Sequence, residues 1–402
     1  MRRVVITGLG VVSALGNNAA ENWDSLAAAR CGIGPIALFP ADALGVKIAA
    51  EARGYNPAAH FAEKQSAFMD RFSQFAVVAA REAVAQSGLV FDEALKPRTA
   101  IVIGSGVGGI TTLDENFDRL YKQGLRVHPF CIPRFMANAG ASHVSMAFGV
   151  TGPAFTVASA CASANHALGV ALQMLRSGAA DVALSGGSEA TITFGTMRGW
   201  EALRVMAPDA CRPFSAGRRG MVLGEGAGIF VLETLEHARA RGAEIIAELA
   251  GVGMSADAGD LTLPNLEGPT AAMRAALADA RMTPESIDYI NAHGTGTIAN
   301  DSTETKAVHA VFGAHSRSVP VSSTKSAHGH GLGAAGALEL AATLLAMKHG
   351  VVPATLNYAE PDPACDLAIV ANQPRPARIN AAMSNSFAFG GLNAVVVVRR
   401  FA

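Results

Sequence analysis

Short runs of β-branched and aliphatic residues alternate along the chain with longer alanine-rich runs. Residues 4–7 are mostly β-branched, 75–85 form an alanine-rich helical run, 100–103 and 182–184 read as strands and 162–175 as a helix. This alternation predicts an α/β fold in which helices cover mixed or parallel sheets. Gly8, Gly10 and Gly16 read as turn residues after the first strand. A second series begins after the helical stretch 236–241, where the strand 245–249 runs into GVGMSAD, an echo of the GLGVVSA that follows the first strand. The segment around Cys161 is echoed by STKSAHGHGLGAAGALELAATLLA, and ADVALSGGSEA by NAAMSNSFAFGGLNAVVVV. These echoes predict two duplicated halves, 1–250 and 251–402. No low-complexity linker parts them, so they are expected to share an interface.

Composition narrows the function classes. At roughly 150 residues per domain, the length allows two or three domains or one large composite core. Acidic and basic side chains number 33 and 32, and only 16% of residues are charged, against about 25% in ordinary soluble domains. That balance excludes a nucleic-acid binder. Half the residues are hydrophobic, few are aromatic and 42 are glycine, a composition suited to close packing and to an oligomer. Every apolar stretch is broken before the roughly 18 residues a membrane span needs. The opening basic pair and apolar run have the outline of a short signal peptide, but the β-branched residues and following glycines favour a strand. The five cysteines (Cys31, Cys131, Cys161, Cys211, Cys365) form no CxxC pair, which fits a reducing cytoplasm and no disulfide framework.

The candidate nucleophile is Cys161, in VASACASANHALGVAL. Small residues crowd it and a helical run follows at once, which places the sulfur at a helix N-terminus where unpaired N–H groups favour thiolate. The other four cysteines read as small buried hydrophobes. Two glycine-rich segments carry polar residues that packing does not require. YINAHGTGT delivers His293 into a turn ahead of Thr295 and Thr297, and SSTKSAHGHGLGAAGALE carries Lys325, His328 and His330 before a helix of small residues. A histidine in such a turn is often a structural one with both nitrogens satisfied. Zinc is the competing chemistry for Cys and His, disfavoured because no second thiol stands nearby and one tight loop cannot easily aim His328 and His330 at one ion.

On SACASA around Cys161, NAHGTGT with His293 and KSAHGHGLGAAGALE with Lys325 and His330, the chain resembles the elongating β-ketoacyl-acyl-carrier-protein synthases, types I and II, of the thiolase-like superfamily. The likeness runs from the first strand to SNSFAFGGLN, and APDACRPFSAGRRGMVLGEGAG looks closest to the nodulation-protein-E branch of type II enzymes. The resemblance implies a thiolase-like duplicated α/β fold, two α/β/α halves stacked as five layers (αβαβα), and a homodimer. It implies a cytoplasmic acyltransferase of fatty acid biosynthesis, a 3-oxoacyl-[acyl-carrier-protein] synthase. Cys161 would take an acyl group from acyl carrier protein (ACP), and malonyl-ACP would lose CO2 to an enolate that attacks it. Substrates ride on the phosphopantetheine of ACP and no cofactor is required. His293 and His330 would donate N–H to the developing oxyanion, Lys325 would pair with Glu304, and the backbone N–H groups of Cys161 and the gating Phe389 would form an oxyanion hole. Thr295 and Thr297 match positions that bind the phosphopantetheine arm. Val107 marks the start of the acyl pocket, which would receive Cys131 from the partner subunit. Asn291, Glu339 and Asn385 match positions around a structural monovalent cation, Na+ or K+, in some relatives.

The chain also departs from that pattern. A basic docking patch for the acidic carrier maps onto 64–68, where only Lys64 is basic, so docking would lean on Arg204. DAGDLT stands where relatives read DAYHxT, GGLN for GGTN, His328 where relatives carry Thr, and Cys131 where an aromatic is common, which suggests a roomier or differently shaped acyl tunnel. Two other functions stand as alternatives, a thiolase and a ketosynthase-like partner that sets chain length. The first needs a second cysteine in the C-terminal GG loop and the second loses the nucleophile.

Overall fold

A computed structural model describes residues 1–401. Ten strands form its sheet: β1 (Val4–Ser13), β2 (Thr99–Gly104), β3 (Ala154–Val157), β4 (Val182–Glu189), β5 (Gly226–Thr234), β6 (Ala247–Ala256), β7 (Tyr289–Asn291), β8 (Val321–Ser322), β9 (Ala381–Ala388) and β10 (Leu392–Arg399). They lie in the order β8-β7-β9-β10-β6-β1-β5-β4-β2-β3. Read outward from the centre, that order repeats itself: β1 corresponds to β6, β5 to β10, β4 to β9, β2 to β7 and β3 to β8. Strand directions match as well, with two antiparallel pairings and then two parallel ones on each side. The two sides join only where Val5 and Ile6 pair with Glu248 and Ala247.

Five principal helices complete the layers: α1 (Arg71–Ser87), α2 (Ser163–Ser177), α3 (Glu267–Ala280), α4 (Ile298–Phe312) and α5 (Ala335–His349). α1 covers the outer face of β1 and β5, α3 covers β6 and β10 with α4 beside it, and α2 and α5 lie between the two sides, touching strands of both. The stack is therefore the five-layer αβαβα arrangement of the thiolase-like fold. α5 is buried from Ala335 to Met347, as a helix sandwiched between sheets must be, and this explains its lack of a polar face. One apolar core runs through β1, α2, α5 and β10.

The glycine reading needs correction. Gly8 and Gly10 are not turn residues; they lie inside β1. A Cβ on Gly8 would sit 2.1 Å from the Ala83 carbonyl oxygen of α1, and one on Gly10 2.0 Å from that of Ala79. In the other half, a Cβ on Gly253 of β6 would lie 2.0 Å from Ala272 O of α3. The echoed glycines thus let a helix backbone approach its strand closely, once in each half. Cys31 is exposed, against the expectation of a buried hydrophobe, while Cys131, Cys211 and Cys365 are buried.

Candidate active site

β3 ends at Val157, and the chain turns through Ser159 and Ala160 so that Cys161 lies in the turn Ala160–Ala162 directly before α2. Ala160 has φ +47°, a conformation that a residue with a Cβ adopts only when its surroundings enforce it. The enforcement is local. Ser159 N–H donates to Ser163 Oγ at 2.9 Å, Ser163 Oγ–H donates to Ala160 O at 2.7 Å, and Ser159 Oγ meets His166 Nδ1 at 2.8 Å. The bend brings Cys161 to a cavity of about 250 Å³ that is also lined by His293, His330, Thr295, Thr297 and Phe389.

The helix start does not by itself make a thiolate here. Burial pushes the thiol from 9.0 up to about 12; the Lys325 ammonium opposes this, Glu339 and Glu189 add to it, and the Phe389 N–H on the sulfur opposes it. That rise opposes the thiolate and outweighs the at most about 2 kcal/mol that a helix N-terminus contributes in its favour. The free protein therefore rests as the thiol. Because the thiolate is the reactive form, alkylation of Cys161 by iodoacetamide is expected to quicken continuously through pH 10. A rate that levels off below pH 8 would contradict this account.

The two histidines occupy defined tautomers. Lys325 donates to His293 O at 2.6 Å and to His293 Nδ1 at 3.3 Å, so Nδ1 is the acceptor and Nε2 carries the proton. Leu332 N–H donates to His330 Nδ1 at 3.2 Å, with the same consequence. The rings stand edge to face, centroids 5.5 Å apart. Burial, then the nearby Lys325 ammonium, holds both well below the usual imidazole range, so both are neutral. His328 bonds Gly329 O and Thr324 Oγ1 through its two nitrogens and is a satisfied structural residue.

The expected Lys325–Glu304 pair does not form. Lys325 is paired with Glu339 of α5, both fully buried. Glu304, on α4, instead accepts His293 N–H at 2.8 Å on one oxygen and Gly294 N–H at 2.7 Å on the other, with Asn385 Nδ2 donating at 3.1 Å. Its oxygens are committed to the His293 turn, and the central helix brings Glu339 to the ammonium instead. Around this pair, Asn291 Oδ1, Glu339 Oε2 and Asn385 Oδ1 are buried without a partner. Asn291 Nδ2 donates to Glu339 O at 3.1 Å, and Ser384, beside Asn385, is in register with Asn291 across β9 and β7. Orphaned oxygens beside buried charge are the donor type a hard cation takes, but Asn385 bonds Glu304 and Met273 of the outer helices while Asn291 bonds the central helix α5, so the two face opposite sides of β9 and β7.

Thr295 and Thr297 hydroxyls lie 2.9 Å apart on the cavity wall, and Thr297 caps α4. Phe389 is half-buried against Trp200, ring centroids 5.8 Å apart. Its loop is turned by Gly390 and Gly391 at φ +83° and +69°, values that favour glycine. The departing segment 257–264 forms the cavity mouth and is tied to that loop, Gly390 N–H donating to Leu261 O at 2.7 Å and Asp257 N–H to Gly391 O at 2.8 Å. Trp200, Met221 and Asn393 also line the wall; Met221 and Asn393 fall within quoted segments but were assigned no role, and Trp200 lies outside them, with no sequence signal to mark it.

Residues 1–238 match the Beta-ketoacyl synthase, N-terminal domain, and residues 246–359 the Beta-ketoacyl synthase, C-terminal domain. The chain belongs to the β-ketoacyl synthase family. This family member is 50% identical over 400 residues to "Nodulation protein E" of Rhizobium leguminosarum bv. trifolii, covering 99% of each chain. It is 44% identical over 408 residues to "3-oxoacyl-[acyl-carrier-protein] synthase 2" of Coxiella burnetii, again covering 99% of each. Among solved structures, the ishigamide ketosynthase/chain length factor superposes with a TM-score of 0.96 at 37% identity over 100% of both chains.

Three of the expected substrate-binding residues of this β-ketoacyl synthase lie away from the cavity wall. Val107 is exposed and its N–H donates to Glu189 at 3.3 Å. Cys131 is buried at the start of the helix Cys131–Phe135. Arg204 is exposed at φ +57° between Leu203 and Val205, which do line the cavity, so it stands at the rim. Lys64 is also exposed.

Proposed function

We propose that the chain is a 3-oxoacyl-[acyl-carrier-protein] synthase that joins an acyl group held on Cys161 to malonyl-ACP. The observation that carries this reading is one thiol sharing a cavity with two neutral imidazoles whose Nδ1 atoms are occupied, leaving each Nε2–H as a donor. Transfer of acyl from ACP to Cys161 exchanges one thioester for another: the Cys161 proton leaves with the carrier thiol, so the step has no net proton demand. Malonyl-ACP then loses CO2, and negative charge builds on its thioester oxygen. Donors fixed in place beforehand stabilise such charge best, because nothing must reorganise as it develops. His293 and His330 fill that role. The enolate carbon attacks the Cys161 thioester, the sulfur leaves and takes up one proton, and a 3-oxoacyl-ACP two carbons longer is released. The backbone N–H groups of Cys161 and Phe389 hold the tetrahedral oxyanion of the two acyl-transfer steps.

A thiolase lacks support, since Phe389 stands in the C-terminal GG loop in place of a second cysteine, and a nucleophile-free partner subunit lacks it because Cys161 is present. The deciding experiment is the intact mass of the protein after mixing with acyl-ACP. An acyl adduct on Cys161 supports the reading, and an unmodified protein overturns it. Thr295 and Thr297 bind the phosphopantetheine arm, Phe389 gates it, and Arg204 with Lys64 attracts the acidic carrier.

The chain acts as a homodimer in the cytoplasm, with halves 1–250 and 251–402. Edge strand β3 is partly exposed, and Phe155 on it, with Leu120, Tyr121, Phe130 and Ile132 nearby in sequence, shows apolar surface to solvent. Unpaired edges and apolar patches are what an interface covers. It would bring the partner's Cys131 toward Val107 at the start of the acyl channel. Phe155→Asp is expected to convert the dimer to monomer in light scattering; a wild-type protein that is monomeric at micromolar concentration would refute the assembly.

A further inference from the structure

Glu189, the last residue of β4, is fully buried next to the site; its charge pushes the Cys161 thiol up, and it takes no part in the reaction steps above. No basic side chain bonds it. Its Oε2 accepts Gly106 N–H at 2.6 Å and Gly333 N–H at 3.0 Å, while its Oε1 accepts Ser105 Oγ–H at 3.0 Å and Val107 N–H at 3.3 Å. Two separate segments meet on this one carboxylate. The loop 105–107 carries Val107, which the synthase reading assigns to the start of the acyl channel, and Gly333 is three residues beyond His330. The nucleophile turn is close as well: a Cβ on Gly106 would lie 3.5 Å from Ala160 O, and one on Gly333 would lie 2.4 Å from Glu189 Oε2 and 2.2 Å from Gly106 N.

We propose that Glu189 is a positioning residue for the condensation, fixing the loop 105–107 and the His330 turn at a set spacing about Cys161. The inference rests on the synthase reading. Only a carboxylate suits the place, since all four donors need acceptors and an amide offers an acceptor on one side alone. In Glu189→Gln the amide oxygen can keep Gly106 and Gly333, which holds the His330 turn. Its NH2 then faces Ser105, whose hydroxyl can rotate to accept, and Val107 N–H, which cannot. The substitution therefore loosens the loop at Val107 alone and spares the His330 turn. Ser105→Ala removes one donor from the same side and is a milder version of the same test.

Two half-reactions separate this role from plain stabilisation: acylation of Cys161 by acyl-ACP, and decarboxylation of malonyl-ACP without an acyl primer. Glu189→Gln is expected to slow acylation by up to about tenfold, the cost of one half-buried donor losing its acceptor, with decarboxylation near the wild-type rate. Ser105→Ala is expected to shift the ratio in the same direction by less. Equal loss of both half-reactions in the variants, or an unchanged ratio in both, overturns the role of Glu189 while leaving the synthase reading intact. A wild-type protein that performs neither half-reaction overturns the synthase reading and this role together.

Discussion

Cys161→Ala is expected to abolish the acyl adduct and to lower condensation by at least about four orders of magnitude, the scale on which nucleophile deletions act, while malonyl-ACP decarboxylation continues. The split follows from the geometry. Acyl transfer requires a sulfur in the strained turn before α2, and none of the other cysteines lines the cavity. Decarboxylation requires only N–H donors at the thioester oxygen, and neither His293 nor His330 is held in its tautomer by Cys161: the first is set by Lys325 and the second by Leu332 N–H. Mass spectrometry of the protein mixed with acyl-ACP, together with CO2 release from malonyl-ACP, reads both halves. An adduct that survives the substitution would place the nucleophile elsewhere. Loss of decarboxylation along with acylation would show the thiol to be part of the donor set.

Lys325→Ala is the second large effect, and it acts on activity and stability through different partners. Removing the ammonium takes away the donor that fixes His293 as the Nε2–H tautomer, and loss of one preorganised donor lowers decarboxylation by about 10²–10³-fold. It also strands Glu339 unpaired in the central layer, where breaking a buried pair costs about 3–5 kcal/mol. Burial already pushes the Glu339 carboxyl up to about 7, with Lys325 opposing, and without the ammonium it rises further. A carboxyl raised in the folded state binds its proton more tightly than in the unfolded chain, so the variant is most stable at low pH and loses stability as pH climbs through the Glu339 range. The double variant Lys325→Ala/Glu339→Gln separates the two consequences. Thermal denaturation is expected to recover toward wild type while decarboxylation stays low. Recovery of both would mean that Lys325 serves only to neutralise Glu339.

The motifs pointed to the candidate reacting residues because their chemistry is local. A cysteine among small residues at a helix start, a histidine after a short strand and a histidine before an alanine-rich helix each advertise themselves within about a dozen residues. Partnerships over longer range did not show. Lys325 has two buried carboxylates in its vicinity, Glu304 from α4 and Glu339 from α5, and nothing along the chain says that Glu304 spends its oxygens on the His293 and Gly294 N–H groups. The resting thiol was illegible for the same reason: a helix start argues for thiolate, but the degree of burial that outweighs it arises only when the layers close over Cys161. Glu189 was missed although it is a lone acid ending a strand of small residues, because sequence does not reveal four donors converging from two loops.

By itself the sequence determined the layered α/β class and the duplication and pointed to the candidate nucleophile and histidines, since each is written in short-range periodicity and local composition. Only the tertiary structure decided which carboxylate neutralises Lys325, why Gly8 and Gly10 are strand glycines rather than turn glycines, and which proton each histidine keeps. Those depend on backbones and charges brought together from positions far apart in the chain, where desolvation and close approach, rather than propensity, set the outcome.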